Sequence, residues 1–158
     1  MDSRAKEIIK QGDGLFSKKV TLNSLHQEIA DNFYVERADF TRTRTLGEDM
    51  ASHLMTSYPL MIRRDLQNAV STMLRPTNQI WGSIHAQRED IEVQDVKVWL
   101  EWTRDVMWRA MYDRKSQFIR ATKEGDGDFV TFGQAVILPS MNKSRDGLLY
   151  RTFHLRDC

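Results

Sequence analysis

The chain reads as an α+β protein, mainly helical, with about four helices and a C-terminal antiparallel β-hairpin. Three observations predict this. Apolar residues recur at three- and four-residue spacing over residues 58–73 and, most strongly, over about Val93 to Arg114, which is the period of helices that bury one face. After Gly133 the pattern changes to a short apolar run, a polar turn and a second apolar run, the signature of a hairpin. A length of 158 residues, with 41% apolar and 28% charged, is enough for one ordinary core and belongs to the globular class.

Residues 1–18 are polar, with Gly12 and Gly14 interrupting any helix begun at Arg4, so they are expected to form a flexible N-terminal segment. Residues 19–158 are then expected to form one α+β domain. Thr21 is placed to cap a helix in which Leu22, Leu25, Ile29 and Phe33 share one face and Glu28 and Asp31 face water. From Asp39 to about Thr56 the pattern breaks into Thr-Arg alternation and a Met50-Ala51-Leu54-Met55 cluster. This predicts an extended arm with at most one helical turn. Pro59 suits the first turn of a second helix, where its missing N–H costs nothing, and Ile62, Leu66, Ala69, Val70 and Met73 mark its apolar face until Pro76 ends it.

Ile80 to Ile84 reads as a short strand or an irregular crossing, and Arg88 to Glu92 as a charged approach to the third helix. That helix, about Val93 to Arg114, carries Val96, Trp99, Leu100, Thr103, Met107, Ala110 and Met111 on one face, widened by Val98, Trp102 and Val106. It is expected to be nearly engulfed, with Lys97–Glu101 and Asp105–Arg109 pairs on its polar side. A fourth helix from about Lys115 turns Phe118, Ala121 or Thr122, Phe129 and Phe132 inward, with a break expected at Gly125 and Gly127. Ala135 to Leu138 then forms a buried strand, Asn142 to Gly147 a turn, and Leu148 to Phe153 the antiparallel return.

Few residues invite a chemistry. The four histidines, His26, His53, His85 and His154, are scattered and none forms a metal pair with another on one helix turn. Glu124 to Asp128 lacks the ligand ladder of a calcium loop and reads as a solvated turn. No nucleophile elbow or phosphate-cradling glycine loop surrounds any Ser, Asp or His. We therefore expect no catalytic residues, no metal, no cofactor and no enzymatic activity. The single Cys158 cannot form an internal disulfide and fits a reducing compartment. No apolar run approaches a membrane span, and Met1 to Arg4 does not lead into a signal-peptide core, so no membrane partner is expected.

A net charge of +1, from 23 basic and 22 acidic residues, is not the footprint of a dedicated nucleic-acid binder. Locally, Arg42, Arg44, Arg63 and Arg64, interleaved in part with Thr41, Thr43 and Thr45, are candidates for an arm contact to phosphate, against the plainer reading of a solvated arm. Trp81, Trp99, Trp102 and Trp108 are candidates for packing or subunit contact, since large aromatics concentrate at interface centres. Trp99 fits the core stripe. Trp102 and Trp108 do not both fit one narrow face, so at least one is covered by another part of the domain or offered to a partner.

Four short motifs, taken in order, resemble the portal, or head-to-tail connector, proteins of short-tailed phages. Gln27 to Phe40 is similar to the family's opening helix and the turn that follows it, though Val35-Glu36-Arg37 lacks the family's proline. Arg75-Pro76-Thr77 followed by Trp81 fills the slot of its Pro-Thr turn and tryptophan. Val98-Trp99-Leu100 lies in the long helix, and Phe132-Gly133-Gln134-Ala135 matches the helix-to-strand corner, so the resemblance spans roughly residues 18 to 157.

The resemblance implies a wing-like α+β unit, the N-terminal portion of a subunit several times longer. Such subunits form a homo-oligomeric ring, usually of twelve, at one capsid vertex. They nucleate head assembly, dock the packaging motor, meet capsid and tail proteins, and pass double-stranded DNA without reading its sequence. The implied place is the virion, after assembly in the host cytoplasm, and the implied role is structural, with ATP hydrolysis left to the motor. Two other readings of the residues stay open: a small helical nucleic-acid-binding module, and a neck or tail adaptor that binds a ring without forming one.

Overall fold

The computed structural model describes residues 3–76, 79–86 and 93–158. Thr77 of the turn motif and the charged approach from Arg88 to Glu92 lie outside the described residues. Among those described are four helices, α1 (Ser3–Phe33), α2 (Tyr58–Leu74), α3 (Gln94–Tyr112) and α4 (Phe118–Phe132), then two strands, β1 (Val136–Met141) and β2 (Leu148–Phe153). The fold is α+β and mainly helical, with a C-terminal antiparallel hairpin.

Contacts divide the chain into two compact units, residues 1–63 with Asp157, and residues 64–156 with Cys158. The division falls within α2, whereas sequence spacing places the only boundary at residue 18. The first 18 residues also differ from expectation, because α1 begins at Ser3 and runs unbroken through Gly12 and Gly14. Each glycine costs about 1 kcal/mol relative to alanine. Strong helix formers around them, Ala5, Lys6, Glu7, Lys10 and Gln11, carry the helix across.

In the first unit the chain doubles back after α1 through a 3-10 turn at Val35–Arg37. Ala30, Val35, Ala38, Phe40 and Met50 are its buried apolar residues, whereas Leu22, Leu25 and Phe33 of the expected stripe are exposed and Thr21, expected to cap the helix, lies inside α1. The buried Gln27 amide holds the return, donating to the Ala38 carbonyl (2.9 Å) and to Asp31 Oδ1 (3.0 Å) and accepting from the Thr41 N–H (3.0 Å). Residues 39–56 contain no helix, in keeping with an arm.

In the second unit Ser116, Phe118, Ala121, Thr122 and Leu155 are buried, with Leu100 from α3. The α3–α4 corner turns on Ser116, whose hydroxyl donates to the carbonyls of Met111 and Asp113 and accepts from the Phe118 N–H. Helix α4 does not break at its glycines. Gly125 is buried, and a Cβ there would lie 2.7 Å from Ile137 Cδ1, so the glycine admits β1 to the helix surface at the cost of some helix propensity. Gly133, in the left-handed region at φ 76°, then caps α4 by donating to the Phe129 carbonyl (2.8 Å).

The hairpin pairs Val136 with Phe153 and Met141 with Leu148. Strand β1 runs beyond the expected Leu138 and through Pro139, which a strand of a two-stranded sheet tolerates because one of its edges is unpaired. The expected buried strand is largely exposed, with Val136, Ile137 and Leu138 among the exposed apolar residues. Thr152 Oγ1 donates to the Ala121 carbonyl (2.5 Å) and fastens β2 to α4. Between α2 and α3, residues 79–86 form an irregular crossing and no strand.

Candidate functional site

The four tryptophans separate into two settings within the second unit. Trp81 and Trp108 join an aromatic ladder. Ring centroids run from Trp81 to Trp108 at 5.2 Å, Trp108 to Tyr112 at 4.7 Å, Tyr112 to Phe118 at 5.2 Å and Phe118 to Tyr150 at 5.0 Å. The Trp81 indole N–H donates to the Tyr112 hydroxyl at 2.9 Å, which satisfies the polar edge that a packed tryptophan must place. The ladder binds the irregular crossing to α3, α3 to α4, and α4 to β2. Burial raises the Tyr150 pKa at its far end.

Trp99 and Trp102 stand outside this ladder, 58% and 59% exposed. At about 100° per residue, Val98, Trp99, Trp102 and Val106 occupy one arc of α3, all exposed, while Leu100, Arg104, Trp108 and Met111 occupy the opposite arc, buried or half-buried. The apolar positions of α3 therefore belong to two faces. Trp99, expected on the core stripe, lies on the outward one, and the helix is not engulfed. Its polar pairing also differs from expectation: Asp105 takes the Arg104 guanidinium (3.0 and 2.8 Å), and Arg109 Nε donates to the Asp105 carbonyl (3.2 Å).

The ladder flanks a shallow cleft of about 180 Å³ lined by Trp81, Ile84, Arg104, Met107, Trp108 and Met111. A second, of about 290 Å³, lies between α4 and β2 beside Arg120, Glu124, Tyr150 and Arg151. Arg120 is held by Glu124 at 3.0 Å. Ser83 also lines the first cleft, its Oγ 3.0 Å from His85 Nε2 in an exposed pairing. Among the described residues no group of three or more His, Cys, Asp or Glu side chains could hold a metal ion, and no helix is long and apolar enough to cross a membrane.

The candidate arginines lie in separate settings. Arg42 pairs with Asp31 at 2.5 Å, and Arg44 Nη1 approaches the Glu36 carbonyl at 3.5 Å. Arg63 is buried, its guanidinium carbon 3.8 Å from the Tyr34 ring centroid, a cation–π geometry. Arg64 is exposed on α2. Arg42 and Arg63 thus carry contacts internal to the first unit.

Sequence reasoning passed over the buried ion pair between Arg75, at the end of α2, and Asp126 in α4. Asp126 sits in the segment expected to be a solvated turn, which is instead buried helix. Gln67 adds a second tie, donating to the Lys123 carbonyl at 2.6 Å. A basic residue closing an amphipathic helix and a carboxylate between two glycines are the only local signals, and neither points to the other. Spacing gives His26 no role either. It is buried, 5.1 Å from the Phe40 ring, and its pKa is lowered by burial and secondarily by the Lys19 charge.

Compared with protein-family models, curated proteins and solved structures, the chain matches none.

Proposed function

We propose that the chain is the N-terminal, wing-like part of a phage portal subunit, a structural component of the ring through which DNA is packaged and ejected. The observation that carries this reading is the exposed side of α1. Ile8, Leu15 and Leu22 recur every seven residues along a helix of 31 residues and are exposed, with Ile9, Phe16 and Val20 beside them. An apolar face of this extent supports the reading of α1 as a surface used in assembly.

The motif order supplies the kind of assembly. Helix α2 leads to Arg75-Pro76, Trp81 follows, α3 is long, and Phe132-Gly133-Gln134-Ala135 turns α4 into β1. In this reading the chain has no catalytic residues and needs no cofactor. Its partners are copies of itself, capsid and tail proteins and the packaging motor, with DNA passing unread. It works at the portal vertex of the virion after assembly in the host cytoplasm.

The product of the complete gene, purified and imaged by electron microscopy, is expected to form closed rings with a central channel. A monodisperse monomer that joins no ring of its own would overturn the reading and favour an adaptor.

A further inference from the structure

The outward face of α3 is self-complementary, and we infer that it pairs two copies of this chain antiparallel about a two-fold axis. The face runs from Asp95 in the first helical turn, through Val98, Trp99, Trp102 and Val106, to Arg109 in the last. At about 100° per residue Asp95 and Arg109 fall in the same arc as the four apolar side chains, roughly 21 Å apart along the axis. Trp102 is the midpoint: residues 95 and 109 are equidistant from it in sequence, as are 98 and 106.

Laid antiparallel on a second copy, Trp102 meets Trp102, each Val98 meets a Val106, and each Asp95 meets an Arg109, while each Trp99 lies at the edge opposite the Asp105 that Arg104 neutralises. A parallel arrangement would set Asp95 against Asp95 and Arg109 against Arg109. The charge pattern therefore favours a second copy of this helix as the occupant, in the antiparallel direction. Opposed helix dipoles favour the same direction.

The inward face of α3 is already committed to the aromatic ladder, so pairing leaves the fold of the unit unchanged. Two tryptophans and two valines per copy make a small contact centred on aromatic anchors, which belongs to the weak class of association. A two-fold contact closes on itself after two copies, unlike the head-to-tail contact of a ring, so the pairing does not rest on the portal reading.

Sedimentation equilibrium of the whole chain over a range of concentrations tests it. The expected result is a monomer–dimer equilibrium that Trp102→Glu shifts to monomer with an unchanged circular dichroism spectrum. Asp95→Lys and Arg109→Glu should each weaken the dimer several-fold, since each sets like charges opposite one another. An equimolar mixture of those two variants should pair more tightly than either alone, because each then meets its opposite charge. A chain that stays monomeric throughout, a dimer that survives Trp102→Glu, or a mixture no tighter than its components would each overturn the inference.

Discussion

A Cβ built on Gly125 would lie 2.7 Å from Ile137 Cδ1, 3.2 Å from its Cγ1 and 3.8 Å from Ala135 Cβ, whereas one on Gly12 would meet nothing within 4 Å. Both glycines sit inside helices, yet only the first is there for packing. Gly12→Ala should stabilise the chain by up to about 1 kcal/mol through helix propensity alone. At Gly125 the same gain is offset by the displacement of Ile137, so Gly125→Ala should be close to neutral. Gly125→Leu should cost roughly 1–3 kcal/mol by overpacking. Urea unfolding of the three variants checks the contrast, and a Gly125→Leu protein as stable as the parent would show that β1 does not need the close approach. Sequence pattern alone treats the two glycines alike, because what distinguishes them is a strand more than ten residues downstream.

At the scale of elements, the Arg75–Asp126 pair carries a second prediction. Both side chains are largely buried, 17% and 9% exposed, so removing either charge leaves the other without its partner in a poorly solvated place. Asp126→Leu or Arg75→Met should each cost about 3 kcal/mol, while the two together should recover most of the loss. A double-mutant cycle measured by denaturation checks this, and additive losses would show that the pair is not coupled. The same scale shows what periodicity can reveal. The helices beginning near Tyr58 and Gln94, the corner at Gly133 and the presence of a C-terminal hairpin were legible, because each rests on local spacing or on a turn residue. Which arc of α3 turns inward was not, since Trp99, Leu100, Trp102 and Trp108 are all apolar and only the positions of Phe118 and Tyr150 decide between them. The ladder and the ion pair join segments distant in sequence, and no spacing encodes them.

For the whole molecule, the division into two compact units predicts a response to acid that is local to one of them. His26 lies in the first unit, and its pKa is held below 6.5 by burial first and by the Lys19 charge second. The unfolded chain therefore binds a proton at a higher pH than the folded one. Stability of the first unit is complete above about pH 6.5 and falls as the pH drops toward the folded-state value. All four tryptophans lie between residues 64 and 156, in the second unit, so their fluorescence reports that unit, whereas far-ultraviolet circular dichroism also reports α1. Thermal unfolding between about pH 7.5 and pH 5.5 should show a circular dichroism transition that moves to lower temperature while the tryptophan transition holds its place. His26→Gln should remove the difference. If both probes shift together in the parent protein, the units unfold as one and the acid response belongs to the chain as a whole. If they separate, the helix that presents Ile8, Leu15 and Leu22 can be loosened without disturbing the ladder, which would place any acid-sensitive assembly contact on the first unit.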